Sequence, residues 1–216
     1  SFLVVDTNTP HALAHNGFAD RRAASESCAQ ALGLTYLRDA LPEDLSCAHH
    51  DEREAKEWRL ELVDSSVNRS LTALEESEGP ATFPRGWVRH AFHDMTLVGR
   101  ASYLLKHADE LGYRAFEETG RIFTESFISM RDELRVSRPE IDVAVEACLA
   151  HGALGARIVG GGFGGAVMAL VKTSRLEETA QAIAQAYAEH GYAEPRFLPM
   201  VAGFPADCDW LSENFR

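Results

Sequence analysis

Residues 160–165 read Gly160-Gly161-Gly162-Phe163-Gly164-Gly165, and no other stretch constrains the fold of this chain as strongly. Seven of its sixteen glycines fall between Gly152 and Gly165. Apolar runs flank the knot at 156–159 and 166–171, and the second, Ala-Val-Met-Ala-Leu-Val, carries no charge. Glycine clustered this way marks backbone that needs φ > 0, or that approaches a neighbour too closely for a Cβ. Two readings follow. One is a tight turn joining two buried strands. The other is a loop whose bare N–H groups face a phosphate. Spacing alone leaves both open.

At 216 residues the chain is one large domain or two small ones, and no composition break divides it, so 1–216 reads as one domain. A chain of this size buries roughly 70% of the surface it exposes when unfolded. The formal net charge of −12, from 33 acidic and 21 basic side chains, opposes nucleic acid and anionic membrane surfaces as partners. The cysteines, Cys28, Cys47, Cys148 and Cys208, have no C-x-x-C spacing, so neither zinc nor a redox pair is indicated. Scattered thiols fit a reducing cytoplasm. There is no apolar run of membrane-spanning length, and the start, which lacks a basic stretch, does not read as a signal peptide. The chain opens without Met inside an apparent strand, Phe2-Leu3-Val4-Val5-Asp6, as if cut from something longer.

A turn follows at 6–10. Residues 18–32 have helical spacing and stop at Gly33. Arg21 and Arg22 lie in the first turns, where the helix dipole disfavours cations, and adjacent residues cannot both face inward. They read as a solvated face, with acids elsewhere or an anionic ligand as the alternative. Residues 41–44 read as a turn, 51–63 as a charged helix, and 75–85 as a loop. His49-His50-Asp51-Glu52 reads as a solvated cap, because adjacent residues do not share a helix face.

Residues 87–111 and 113–134 are periodic and separated by Gly112, which predicts an antiparallel helical pair. On the first of these, His90, His93 and Asp94 read as packing or surface, since no third-ligand motif accompanies them. Ser137-Arg138-Pro139-Glu140 reads as a capping box with Ser137 at the N-cap, opening a helix that Gly152 ends. Ser174-Arg175-Leu176-Glu177 reads as a second capping box, opening a helix over 176–190 closed by Gly191. Residues 196–203 are the last apolar run and read as a strand. No repeat or low-complexity segment appears. The order predicts an α+β fold, an antiparallel sheet packed on helices.

Three stretches in register resemble the GHMP small-molecule kinases, and galactokinases in particular. Ala156-Arg157-Ile158-Val159 followed by the glycine knot resembles the family's third signature motif, with Gly152-Ala153-Leu154-Gly155 ahead of it. His11-Ala12-Leu13 through Phe18-Ala19-Asp20-Arg21-Arg22-Ala23-Ala24 is similar to the segment after the first strand of the C-terminal half. Ser129-Met130-Arg131-Asp132 through Ile141-Asp142 is similar to the helix start before the third motif. The resemblance implies a ferredoxin-like C-terminal domain and transfer of the ATP γ-phosphate to the C1 hydroxyl of galactose. It implies galactose, ATP and Mg²⁺ as ligands and an N-terminal half as partner. That half carries the sugar-gripping motif, the serine loop for the ATP phosphates, the catalytic aspartate and the Mg²⁺ ligands, and 1–216 alone is expected to be inactive. It also implies that Gly160, Gly161, Gly162, Phe163, Gly164 and Gly165 lie near the phosphates. The knot is not a P-loop, since no Lys-Ser or Lys-Thr follows it.

Four positions depart from the family. Phe18 stands where a tyrosine binds the sugar, Phe127 where a His, Leu134 where a Tyr and Arg138 where a Cys is usual. Phe127 and Leu134 read as core, and Arg138 as exposed. The departures suggest a divergent member. Another GHMP kinase acting on a different sugar or alcohol, and a non-catalytic sensor on the same fold, stay open as alternatives.

Overall fold

In the computed structural model the described residues are 1–10, 18–31, 33–40 and 85–203. Strand β1 spans Phe2–Asp6 and helix α1 spans Phe18–Ala31, followed by a short 3-10 turn, Leu37–Ala40. Then come α2 (Arg85–Lys106), α3 (Ala108–Leu111), α4 (Tyr113–Asp132) and α5 (Pro139–Ala150). The hairpin strands are β2 (Gly155–Val159) and β3 (Ala166–Leu170). A second 3-10 turn, Thr173–Arg175, leads into α6 (Leu176–His190), and β4 is Arg196–Met200. The expected turn at 41–44, the helix at 51–63, the loop at 75–84 and the His49-His50-Asp51-Glu52 cap lie outside the described residues.

The four strands form one antiparallel sheet in the order β2-β3-β1-β4. Leu3 faces Ala169, and Ala169 faces Ala156; Val5 faces Val167, and Val167 faces Ile158. Cross-strand partners point to the same side of a sheet. This side is therefore all apolar, and each of the six is at most 2% exposed. It packs on Ile141, Ala144, Val145 and Cys148 of α5 and on Ile183 and Tyr187 of α6. This strand order, with α5 and α6 entering β2 and β4 over one face, is the ferredoxin-like arrangement that the resemblance implied.

On the other face α4 lies against β2. Gly120 of α4 and Gly155 of β2 meet so closely that a Cβ on Gly155 would stand 1.7 Å from the Gly120 carbonyl oxygen. Helix α2 packs behind α4. Contacts run Arg89 to Glu133, His90 to Ser129, Asp94 to Ser126 and Arg100 to Glu125, so the pair is antiparallel as expected. A smaller core joins α1, the first 3-10 turn and α2 through Cys28, Ala29, Leu37, Val88 and Phe92. Burial raises the Cys28 thiol and pushes Cys148 up to about 12, so both are protonated, unreactive core groups.

Three local expectations are corrected. The helix expected at 87–111 breaks at His107, which leaves the helical basin (φ −104, ψ 18). Its ring stacks on Tyr103 at 4.2 Å, and its Nδ1 lies 2.9 Å from the Tyr103 carbonyl. Neither capping box forms. At α5 the N-cap is Arg138, not Ser137, because a residue before proline is pushed out of the helical basin, and Arg138 is extended (φ −137, ψ 157). Ser137 Oγ donates instead to Asp142 Oδ1 at 2.5 Å. At α6 the N-cap is Arg175, reached through the 3-10 turn, and its guanidinium pairs with Glu178.

The α2–α4 seam carries a polar network. Ser129 Oγ donates to Glu133 Oε2 (2.6 Å), so it accepts from His90 Nδ1–H (3.0 Å). Ser126 Oγ donates to Asp94 Oδ1 (2.6 Å). Burial holds the His90 imidazole below its ordinary value of 6.5, outweighing Asp94 and Glu133, which pull it up, while His93 and Arg157 add to the lowering. The folded state therefore binds this proton less tightly than the unfolded one. Its contribution is present above pH 6.5 and is lost as pH falls below that value. Urea midpoints at pH 7.5 and 5.5 test this: His90→Asn, which keeps a donor but does not titrate, should narrow the fall between the two. An unchanged fall removes His90 as the cause.

Candidate functional site

The glycine knot is the connection of the β2–β3 hairpin, as its flanking runs predict. Its six residues divide into an anchored part and a free tip. Gly162, Phe163 and Gly164 are buried, whereas Gly160 and Gly161 are exposed. A Cβ on Gly162 would lie 2.6 Å from both the Cβ and the carbonyl oxygen of Val136, and its φ of +78 is left-handed. A Cβ on Gly164 would meet the Thr9 and Pro10 carbonyls at 2.9 Å. Among the described residues nothing lies within 4 Å of the Cβ position of Gly160, whose φ is +83.

Two neighbouring segments hold the anchored part. Just past β1, Thr7 donates through both its N–H (2.9 Å) and Oγ1 (2.6 Å) to the Gly165 carbonyl. From the α4–α5 connection, the Val136 carbonyl accepts from the Phe163 N–H at 2.7 Å. Phe163 takes a left-handed φ of +62, which costs a non-glycine residue about 1–2 kcal/mol. Burying its ring is worth about 1.5–3 kcal/mol, and the hydrogen bond to Val136 adds to that, so the conformation holds. Phe163 is thus a core residue that fixes the loop.

Two arginines reach the loop. Arg138 was expected to be exposed, but it is half-buried, and its Nη1 donates to the Phe163 carbonyl at 3.5 Å. It is drawn inward because the extended backbone before Pro139 leaves its side chain over the loop. Arg21 departs further from expectation. It is not on a solvated face: its guanidinium lies 5.0 Å from the Phe163 ring centroid and 4.6 Å from that of Trp87. Its Nε donates to the Leu134 carbonyl (2.8 Å) and its Nη2 to that of Arg135 (3.1 Å). Arg22 does face solvent and pairs with Glu26. The signal for Arg21 was in the sequence, as a cation at the wrong end of a helix; its partners, 66 to 142 residues away, were not.

Phe18 is the first residue of α1, three before Arg21, and its side chain lies outside the described residues. Through Arg21, the fold brings the first turn of α1 beside the loop. Phe127 is buried, and Leu134 packs against the main core, as expected. His90, His93 and Asp94 sit in the α2–α4 seam, and among the described residues no group of three His, Cys, Asp or Glu could hold a metal. Arg157, half-buried on β2, reaches Met130 Sδ at 3.9 Å and Asp94 at 3.9 Å, a contact that sequence reasoning missed. No described helix is long and apolar enough to cross a membrane.

Residues 89–193 match the family model described as GHMP kinases C terminal. A galactokinase of Streptomyces coelicolor is 34% identical over 199 residues, covering 92% of this chain and 43% of that protein. A galactokinase of Mycobacterium tuberculosis is 32% identical over 193 residues, covering 89% and 44%. One from Bos taurus is 33% identical over 192 residues, covering 88% and 40%. Among solved structures, Lactococcus lactis galactokinase complexed with galactose shares the fold, with a TM-score of 0.65 at 21% identity, covering 91% of this chain and 44% of that one. The chain spans less than half the length of the curated relatives it matches.

Proposed function

We propose that this chain, whose residues 89–193 match the family model of the GHMP kinase C-terminal domain, is the C-terminal portion of a galactokinase that transfers the ATP γ-phosphate to the C1 hydroxyl of galactose. The observation that carries this reading is the loop geometry. Both sides of the glycine loop are pinned, by Thr7 and by Val136, while its tip at Gly160 is exposed and no described residue lies within 4 Å of its Cβ position. A fixed, side-chain-free tip lets backbone approach a ligand closely, and fixed N–H groups can face charge that develops during transfer without reorganising. Phosphoryl transfer depends mostly on such positioning and charge neutralisation. Residues 1–216 act here as one unit, forming one wall of a cleft in a cytoplasmic enzyme.

Among the described residues no group of three or more His, Cys, Asp or Glu could hold a metal ion. ATP, Mg²⁺ and the sugar would be gripped mainly by a second, N-terminal half. Residues 1–216 alone should therefore show no galactose-dependent ATP turnover, and the full-length protein carrying them should show it. A panel of sugars and small alcohols assayed with that protein tests the substrate. Phosphorylation of another sugar but not galactose would favour the neighbouring kinase reading, which the phenylalanine at position 18 motivates. Turnover by 1–216 alone sinks the division of labour proposed here.

A further inference from the structure

We propose that Arg21 is a positioning residue that sets the glycine loop through Phe163; as a claim about turnover this rests on the cleft-wall reading above. One guanidinium joins three segments distant in sequence. It stacks between Trp87, near the start of α2, and Phe163 of the loop. It also donates to two successive carbonyls, Leu134 and Arg135, just past the end of α4. Two of the residues it touches, Arg135 (φ +57) and Phe163 (φ +62), hold left-handed backbone without being glycine. Such conformations persist only where the surroundings over-determine them. Arg21 touches both, and its own placement agrees with electrostatics. A cation in the first turn of α1 is disfavoured by that helix, but here it sits at the carbonyl end of α4, where a cation is favoured.

Phe163 stands three residues from Gly160, and the Phe163 N–H and carbonyl are both engaged, by Val136 and Arg138. A shift of the Phe163 ring is therefore transmitted to the exposed tip. Lysine cannot replace this group. It has no planar fork for two carbonyls and no face to lie between two rings.

The test uses Arg21→Lys and Arg21→Met, with Arg22→Met as control. Amide hydrogen exchange is followed on residues 1–216, and steady-state kinetics on the full-length protein. Both Arg21 variants should raise exchange at the Phe163 and Gly165 amides about tenfold or more, with the Val5 and Val167 amides unchanged, as expected for a local opening. In the full-length protein Arg21→Lys should lower kcat about tenfold with KM for the sugar within about twofold, because misplacement by a fraction of an ångström acts on the reacting geometry. Arg22→Met should match the parent in both. Parent-like loop exchange in Arg21→Lys overturns the proposal, and so does exchange that rises equally across the sheet. Loop-specific exchange with unchanged kcat overturns the link to turnover. A full-length protein that is inactive before any substitution, with loop-specific exchange intact, keeps Arg21 as the loop's anchor and sinks the functional reading instead.

Discussion

Replacing Gly155 by alanine should cost residues 1–216 about 3 kcal/mol or more of folding stability, at the top of the range for overpacking. The added methyl would stand 1.7 Å from the Gly120 carbonyl oxygen and 2.8 Å from its Cα. Both obstacles are backbone, so no side chain can swing aside; α4 itself must move off β2. The reciprocal change, Gly120→Ala, places a Cβ 2.4 Å from the Leu154 carbonyl group. There the helix gains about 1 kcal/mol of propensity, so the net loss should be smaller, about 2 kcal/mol. The two substitutions press on the same contact and should not add, since the first already opens the gap the second needs. Urea denaturation of both single variants and the double measures this. A Gly155→Ala midpoint indistinguishable from the parent would mean that the close approach is not a fixed part of the native state.

The second large effect separates the two readings of the glycine loop. Gly162→Ala should lose stability, because its methyl runs into Val136 and its backbone is left-handed. Such a loss says nothing about function. Gly160 is the informative position, because its Cβ direction is open and asparagine tolerates a left-handed φ. Gly160→Asn should change folding stability by less than about 1 kcal/mol, yet lower turnover of the full-length protein about tenfold or more, equivalent to about 1.4 kcal/mol of barrier. A stable Gly160→Asn protein with parent activity would leave the knot as an ordinary turn. Gly162 and Gly164 are packed against backbone whereas Gly160 and Gly161 are exposed, so the two readings are tested at different residues.

Local rules reached some of this and not the rest. Alternation in Phe2–Asp6, the apolar runs around the glycines and the helical spacing at 176–190 were legible because they need only neighbours along the chain. The capping boxes failed for an equally local reason at α5, where Pro139 forces Arg138 to be extended and so moves the N-cap by one residue. Arg138 then turned from an expected surface group into a contact of Phe163.

By itself, then, the sequence determined the order of strands and helices among the described residues, the antiparallel hairpin, and the resemblance that three motifs in register carry. Only the tertiary structure decided which glycines are packed and which are open, and that α4 must touch β2 without a side chain between them. It alone showed that Arg21 spans 113 residues to the Leu134 carbonyl. Periodicity records which face of an element is apolar. It carries no information about which distant backbone that face meets, and the close contacts that shape this loop are all of that second kind.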